Sequence, residues 1–103
     1  MRVQCRPLTE KDFLAMVRRL ATLNGWLCYH AHDSRRSPAG FPDLLLLHPE
    51  MGAALAAELK TDTGRLTPDQ ERWLTAFRKC GIGGGLWRPR DFDLIELALR
   101  REA

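Results

Sequence analysis

Early in the chain, apolar positions recur at helical spacing: Phe13, Met16, Val17, Leu20 and Leu23. Thr9-Glu10-Lys11-Asp12 precedes them, with Thr9 placed as an N-cap and a carboxylate three residues on, and Asn24-Gly25 closes the run. A helix is expected between these marks. The pattern then becomes extended. Trp26 to His30 reads as a strand and residues 31 to 40 as a polar loop. Asp43 to Leu47, opened by Gly40-Phe41-Pro42, reads as a short buried strand, and Ala53 to Lys60 as the next. The segment His48-Pro49-Glu50-Met51-Gly52 between them is short enough for a hairpin, with His48 as a turn residue. Thr67-Pro68-Asp69-Gln70 starts a second helix, with Thr67 as N-cap, Pro68 at the first helical position and Gln70 at the capping-box position. Trp73, Leu74 and Phe77 share one face of it, and Gly81 is placed to cap its C-terminus. Beyond Gly83-Gly84-Gly85, a short strand is expected from Leu86 to Arg88 and a last helix from about Arg90 to Arg101. The order α-β-β-β-α-β-α is that of a mixed α/β sandwich.

Composition narrows this picture only slightly. A chain of 103 residues is one domain, residues 1–103, large enough for a single core. Sixteen Lys and Arg against 13 Asp and Glu leave a net charge of +3, a mild surplus compatible with nucleic acid but not demanding it. Cys5, Cys28 and Cys80 are sparse and carry no CxxC spacing, which argues against a disulfide framework or a zinc site and for a reduced, cytoplasmic setting. Cys28 and Cys80 read as core residues. The polar stretch from Met1 to Asp12 has no signal core, and the longest apolar runs, Leu44 to Leu47 and Ala53 to Ala57, are too short to span a bilayer.

The chemistry begins at Glu58-Leu59-Lys60. On a strand, positions two apart share a face, so Glu58 and Lys60 project together and Leu59 projects the other way. Charge on a half-buried strand face is costly unless it is paired or bound to metal. Asp43 opens the preceding strand. If the two strands pair, Asp43 and Glu58 converge at one end of the hairpin, and two carboxylates plus waters suit Mg²⁺. Such an ion activates water and stabilises charge on a phosphoryl group, and Lys60 would then stand beside the phosphate. An isolated E-x-K, by contrast, is ordinarily a surface pair.

The wider context is Gly40-Phe41-Pro42-Asp43-Leu44, a hairpin, Ala57-Glu58-Leu59-Lys60-Thr61, Gly64-Arg65-Leu66-Thr67, then Gln70 and Trp73. In this order and spacing the chain resembles the PD-(D/E)xK nuclease superfamily, and within it the VRR-NUC family of virus-type replication-repair nucleases. The resemblance runs from Glu10 to Trp87-Arg88-Pro89. It implies a restriction-endonuclease-like core and Mg²⁺- or Mn²⁺-dependent cleavage of DNA. It also implies metal binding by Asp43 and Glu58 with help from the Leu59 carbonyl, and a catalytic Lys60. A phage or prophage origin in a bacterial host fits it.

Glu10 falls three and seven residues before Phe13 and Val17, on the apolar stripe of the first helix, and is expected to face the sheet. The family often carries a first-helix Glu in its site, which makes Glu10 a further catalytic and metal candidate. The other reading is a first-turn acid favoured by the helix dipole. Gln70 shares a face with Trp73, Leu74 and Phe77 and is expected to point into the site as well as closing the capping box. Arg35, Arg36 and Arg65 are candidates for DNA phosphates, or else solvated loop residues. His30 and His32 read as strand-end histidines, with a metal or general-base role as the alternative. The run from Gly81 to Gly85 is not a phosphate loop, because it follows a helix and lacks the Gly-Lys-Ser/Thr ending. In the last helix Phe92, Ile95 and Leu99 fall on one side, and Leu94, Leu97 and Ala98 on nearly the opposite side. The second strip, if exposed, would serve a homodimer acting on branched DNA such as a four-way junction. Two other functions compete with a nuclease: a DNA-binding module that has lost cleavage, and a protein-interaction domain.

Overall fold

The computed structural model describes residues 8–31 and 37–100. The first helix, α1 (Glu10–Leu23), begins at a complete capping box: Asp12 N donates to Thr9 Oγ1 at 3.0 Å, and Thr9 N donates to the Asp12 carboxylate. Phe13, Val17 and Ala21 are buried along one stripe, and Gly25, at φ +89°, turns the chain out of the helix. Strands β1 (Leu27–His30), β2 (Leu44–His48) and β3 (Ala53–Leu59) follow, then α2 (Pro68–Lys79), β4 (Gly83–Trp87), a single 3-10 turn (Pro89–Asp91) and α3 (Phe92–Leu99). The expected element order is the observed one.

Among the described residues there is one four-stranded sheet, in the order β1-β2-β3-β4. β1 and β2 are antiparallel, from Leu27 opposite Leu47 to His30 opposite Leu44. β2 and β3 form the hairpin, from Leu44 opposite Ala57 to His48 opposite Ala53. β4 runs parallel to β3, a pairing that requires a crossover, here supplied by α2. One face of the sheet presents Leu44, Leu46, Ala57 and Leu59 to Phe13, Val17 and Ala21 of α1 and to Ile95 and Leu99 of α3, forming the core. Trp26 joins this core and donates its indole N–H to the Leu99 carbonyl at 2.9 Å, tying α3 to the start of β1. The other face carries Glu58, and α2 lies over its β3–β4 half.

Four local expectations are corrected. His48 is not a turn residue but ends β2, buried at 2% exposure. Its Nδ1 accepts from Met51 N, which leaves Nε2 to donate to the Asn24 carbonyl at 2.9 Å, and the ring stands edge-on to Trp26. Burial won because both ring nitrogens found partners. Gly83-Gly84-Gly85 lie inside β4 rather than before it. A side chain at Gly84, at φ +107°, would place its Cβ 2.2 Å from the Ala56 carbonyl oxygen, so close strand approach selects glycine against its poor strand propensity. Cys80 is exposed at the end of α2, whereas Cys28 is half-buried against the core. The last helix starts two residues later than expected, since Pro89–Asp91 form the 3-10 turn, and its described part ends at Leu99.

Candidate active site

Asp43 and Glu58 meet because of strand register. Continuing the β2–β3 pairing one step past Leu44 and Ala57 sets Asp43 opposite Glu58. The Asp43 backbone extends the sheet, its carbonyl accepting from Ala31 N at 3.1 Å. One carboxylate oxygen, Oδ2, accepts from the Leu59 backbone N–H at 2.8 Å, which aims the group along the end of β3. Glu58 is buried. Its Oε2 accepts from Gln70 Nε2 at 3.1 Å and lies 3.8 Å from the Lys60 ammonium. Its Oε1 is buried with no hydrogen-bond partner. Removal from water and the facing Asp43 carboxylate push the Glu58 pKa up to about 8, with Lys60 opposing the rise.

Lys60 shares the face of Glu58, as strand alternation requires, and its side chain is 18% exposed, at the rim of the site. Its stem passes close to Gly64, where an added Cβ would stand 3.2 Å from Lys60 Cδ. That glycine lets the loop after β3 fold over the lysine. Arg65, next to it, is exposed. Gln70 closes the capping box and also reaches Glu58. Its Oε1 accepts from Thr67 N at 2.9 Å and its backbone N donates to Thr67 Oγ1, completing the capping box, while its amide nitrogen holds Glu58. The amide has one orientation that satisfies both partners, because a carboxylate only accepts and a backbone N–H only donates.

Glu10 does not face the sheet; it is exposed. A helical side chain leans toward the N-terminus, and at the first helical position that direction leads past the body covered by Phe13 and Val17. Among the described residues no group of three or more His, Cys, Asp or Glu could hold a metal ion, so Glu10 does not join Asp43 and Glu58. His30 is half-buried at the end of β1, opposite Leu44. Arg35, Arg36 and His32 lie outside the described residues. Arg88 was not singled out from sequence, yet its guanidinium donates to the Thr61 carbonyl, just past Lys60. Twenty-seven residues separate that pair, and no local pattern links them.

The donor set fits a hard divalent cation. An orphaned carboxylate oxygen, a second carboxylate facing it and a carboxyl pKa raised by burial and by that neighbour all describe a place where positive charge is favourable. Two carboxylates completed by waters match what a hard divalent ion accepts. Among the described residues, neither the thiols nor the histidines join the pair as donors that would favour zinc.

The model of the VRR-NUC domain matches residues 3–88 of this chain. A Fanconi-associated nuclease 1 homolog of Caenorhabditis briggsae is 35% identical over 79 residues, 77% of this chain but 8% of that protein. The chain therefore spans less than a tenth of the length of the curated relatives it matches. A solved VRR_NUC domain is 25% identical with a TM-score of 0.62, covering 89% of this chain and 96% of that one. A second, a VRR_NUC domain protein, shares the fold at 19% identity with a TM-score of 0.63, covering 90% and 87%.

Proposed function

The chain belongs to the VRR-NUC family of the PD-(D/E)xK nuclease superfamily, and from that premise we propose that it is a Mg²⁺- or Mn²⁺-dependent endonuclease hydrolysing phosphodiester bonds in DNA. The observation that carries this reading is the buried Glu58, with an unpartnered oxygen, facing Asp43 and standing 3.8 Å from Lys60. Asp43, Glu58 and the Leu59 carbonyl would hold the ion. When bound, it supplies the Lewis acidity that lowers the pKa of water and offsets charge on the phosphoryl oxygens. The Leu59 N–H fixes the Asp43 carboxylate, and Gln70 fixes that of Glu58, so the pair needs little reorganisation to bind an ion. Lys60, partly exposed beside Glu58, offers its ammonium to the scissile phosphate and to the attacking water. Arg65, with Arg35 and Arg36, would contact flanking phosphates.

The finer reading is a homodimer acting on branched DNA. It rests on α3, where Ile95 and Leu99 are buried while Leu94 and Leu97 are 68% and 59% exposed. An apolar strip of this kind on a small domain marks an interface, and two-fold pairing would set two sites against a junction of matching symmetry.

Incubation with linear and four-way-junction DNA, with Mg²⁺, Mn²⁺ or EDTA, tests the proposal. Cleavage should require metal and should vanish in Asp43→Ala and Glu58→Ala while DNA binding survives. Wild-type binding without cleavage in either metal would favour a DNA-binding module that has lost catalysis. Full cleavage by either carboxylate variant would refute the site.

A further inference from the structure

We propose that the first two turns of α2 form a brace that positions both metal-site carboxylates, with Trp73 as a positioning residue for Asp43. The proposal rests on the metal-dependent reading above and extends it to residues that touch neither ion nor DNA.

Asp43 and Glu58 come from different strands, and a metal site tolerates misplacement of only about 0.5 Å. From Asp43 onward the chain is held by the sheet. Before Asp43 it is a loop, and where that loop sits sets the direction from which the chain enters the site. α2 is what holds it. The Trp73 indole N–H donates to the Ala39 carbonyl at 3.1 Å. Gly40, at φ +82°, lies so close to the helix backbone that a Cβ there would stand 2.4 Å from the Asp69 carbonyl carbon and 2.6 Å from Gln70 N. The Phe41 ring packs edge-on against Trp73 at 5.2 Å and Phe77 at 6.0 Å. Pro42 is fully buried, and Asp43 follows. The same helical turn that Gly40 touches sends Gln70 to Glu58. One rigid element thus contacts the lead-in to Asp43 and the side chain of Glu58, and a shift of the loop on α2 changes the separation of the two carboxylates.

Trp73 is half-buried and outside the main core, and its polar atom is spent on a loop carbonyl rather than on the sheet. Its loss should therefore act more on the site than on the fold. Trp73→Phe keeps a ring and removes the N–H. Phe41→Leu keeps the N–H and removes the ring contacts. Each should weaken Mn²⁺ binding, measured by calorimetry, on the order of fivefold, the worth of one ordinary hydrogen bond or ring pair. Far-UV circular dichroism should be unchanged. Cleavage should show a lowered kcat at limiting Mn²⁺, an unchanged KM for DNA, and recovery as Mn²⁺ is raised. Ile95→Val, on the buried side of α3, is the control: it should lower the melting temperature and leave Mn²⁺ affinity alone. Wild-type Mn²⁺ affinity in both folded variants would overturn the brace. So would an equal loss in Ile95→Val, since affinity would then merely follow stability. A wild-type protein that binds no Mn²⁺ fails at an earlier step, and would overturn the metal site along with the brace.

Discussion

Replacing Glu58 with glutamine should stabilise the metal-free protein in neutral and alkaline solution and remove its response to Mg²⁺. The Glu58 carboxyl is buried, faces Asp43 and has its pKa raised from 4.5 to about 8. A group whose pKa is higher folded than unfolded contributes stability that is complete below the unfolded value and is lost as pH rises through the folded one. The window here is therefore pH 4.5 to about 8. Each pKa unit corresponds to about 1.4 kcal/mol, so the metal-free fold loses several kcal/mol across the window, with the facing Asp43 as part of the cause. In a domain of this size about 1 kcal/mol moves the melting temperature by 4–8 °C, which puts the fall on the order of 15–30 °C between pH 5 and pH 8.5 in EDTA. A glutamine amide at this position is neutral throughout and can still accept from Gln70, so the variant should show most of that fall abolished. A cation bound at the carboxylates reverses the sign for the wild type. Its ligands must be ionised, so binding releases a proton and tightens toward pH 8, and an ion at 100 times its dissociation constant adds about 2.7 kcal/mol. Thermal melts of both proteins at pH 5, 7 and 8.5, with EDTA and with Mg²⁺, read all of this. Parallel profiles for the two proteins in EDTA would refute the buried-charge reasoning. A Mg²⁺ gain in the glutamine variant equal to that of wild type would refute Glu58 as a ligand.

Lys60→Ala should reduce turnover about 10²–10³-fold, the scale of losing one charged transition-state contact, while calorimetry still finds Mn²⁺ bound; Lys60→Arg should rescue poorly, because a planar guanidinium does not replace a compact ammonium. Arg65→Ala should weaken DNA binding in a filter-binding titration and reduce the slope of log affinity against log salt by about one unit, and an unchanged slope places the DNA elsewhere. Leu94→Glu with Leu97→Glu should give a folded monomer by light scattering that no longer cuts four-way junctions in paired fashion, since both side chains are exposed in the single chain. Gly84→Ala should cost about 3 kcal/mol or more in a urea melt, combining a strained φ with a Cβ pressed onto the Ala56 carbonyl.

The amino-acid sequence by itself determines the order of the elements of this protein and the residue types at its candidate site. Both long helices announce their starts through side chains that cap neighbouring backbone, Thr9 with Asp12 and Thr67 with Gln70, and such bonds span three residues. Strand alternation places Glu58 and Lys60 on one face from two letters of spacing. The alternating strips of α3 are likewise a matter of helical angle, and Ile95 and Leu99 are buried where Leu94 and Leu97 are not.

The tertiary structure decided what depends on groups distant along the chain. Whether Glu10 sees the sheet depends on how far the body extends beneath the first turn of α1, which no periodicity encodes; the answer is that it does not. His48 became a core residue because Asn24 and Met51 met its two nitrogens. Three consecutive glycines became a strand because β3 lay alongside, close enough to exclude a side chain at Gly84. Trp73 reads in sequence as one more apolar residue on a helix face, while its indole N–H closes on a carbonyl 34 residues away. The Glu58 pKa belongs to this second class. The residue type is written in the chain, but the energy of its charge comes from burial and from Asp43, groups that only folding assembles around it.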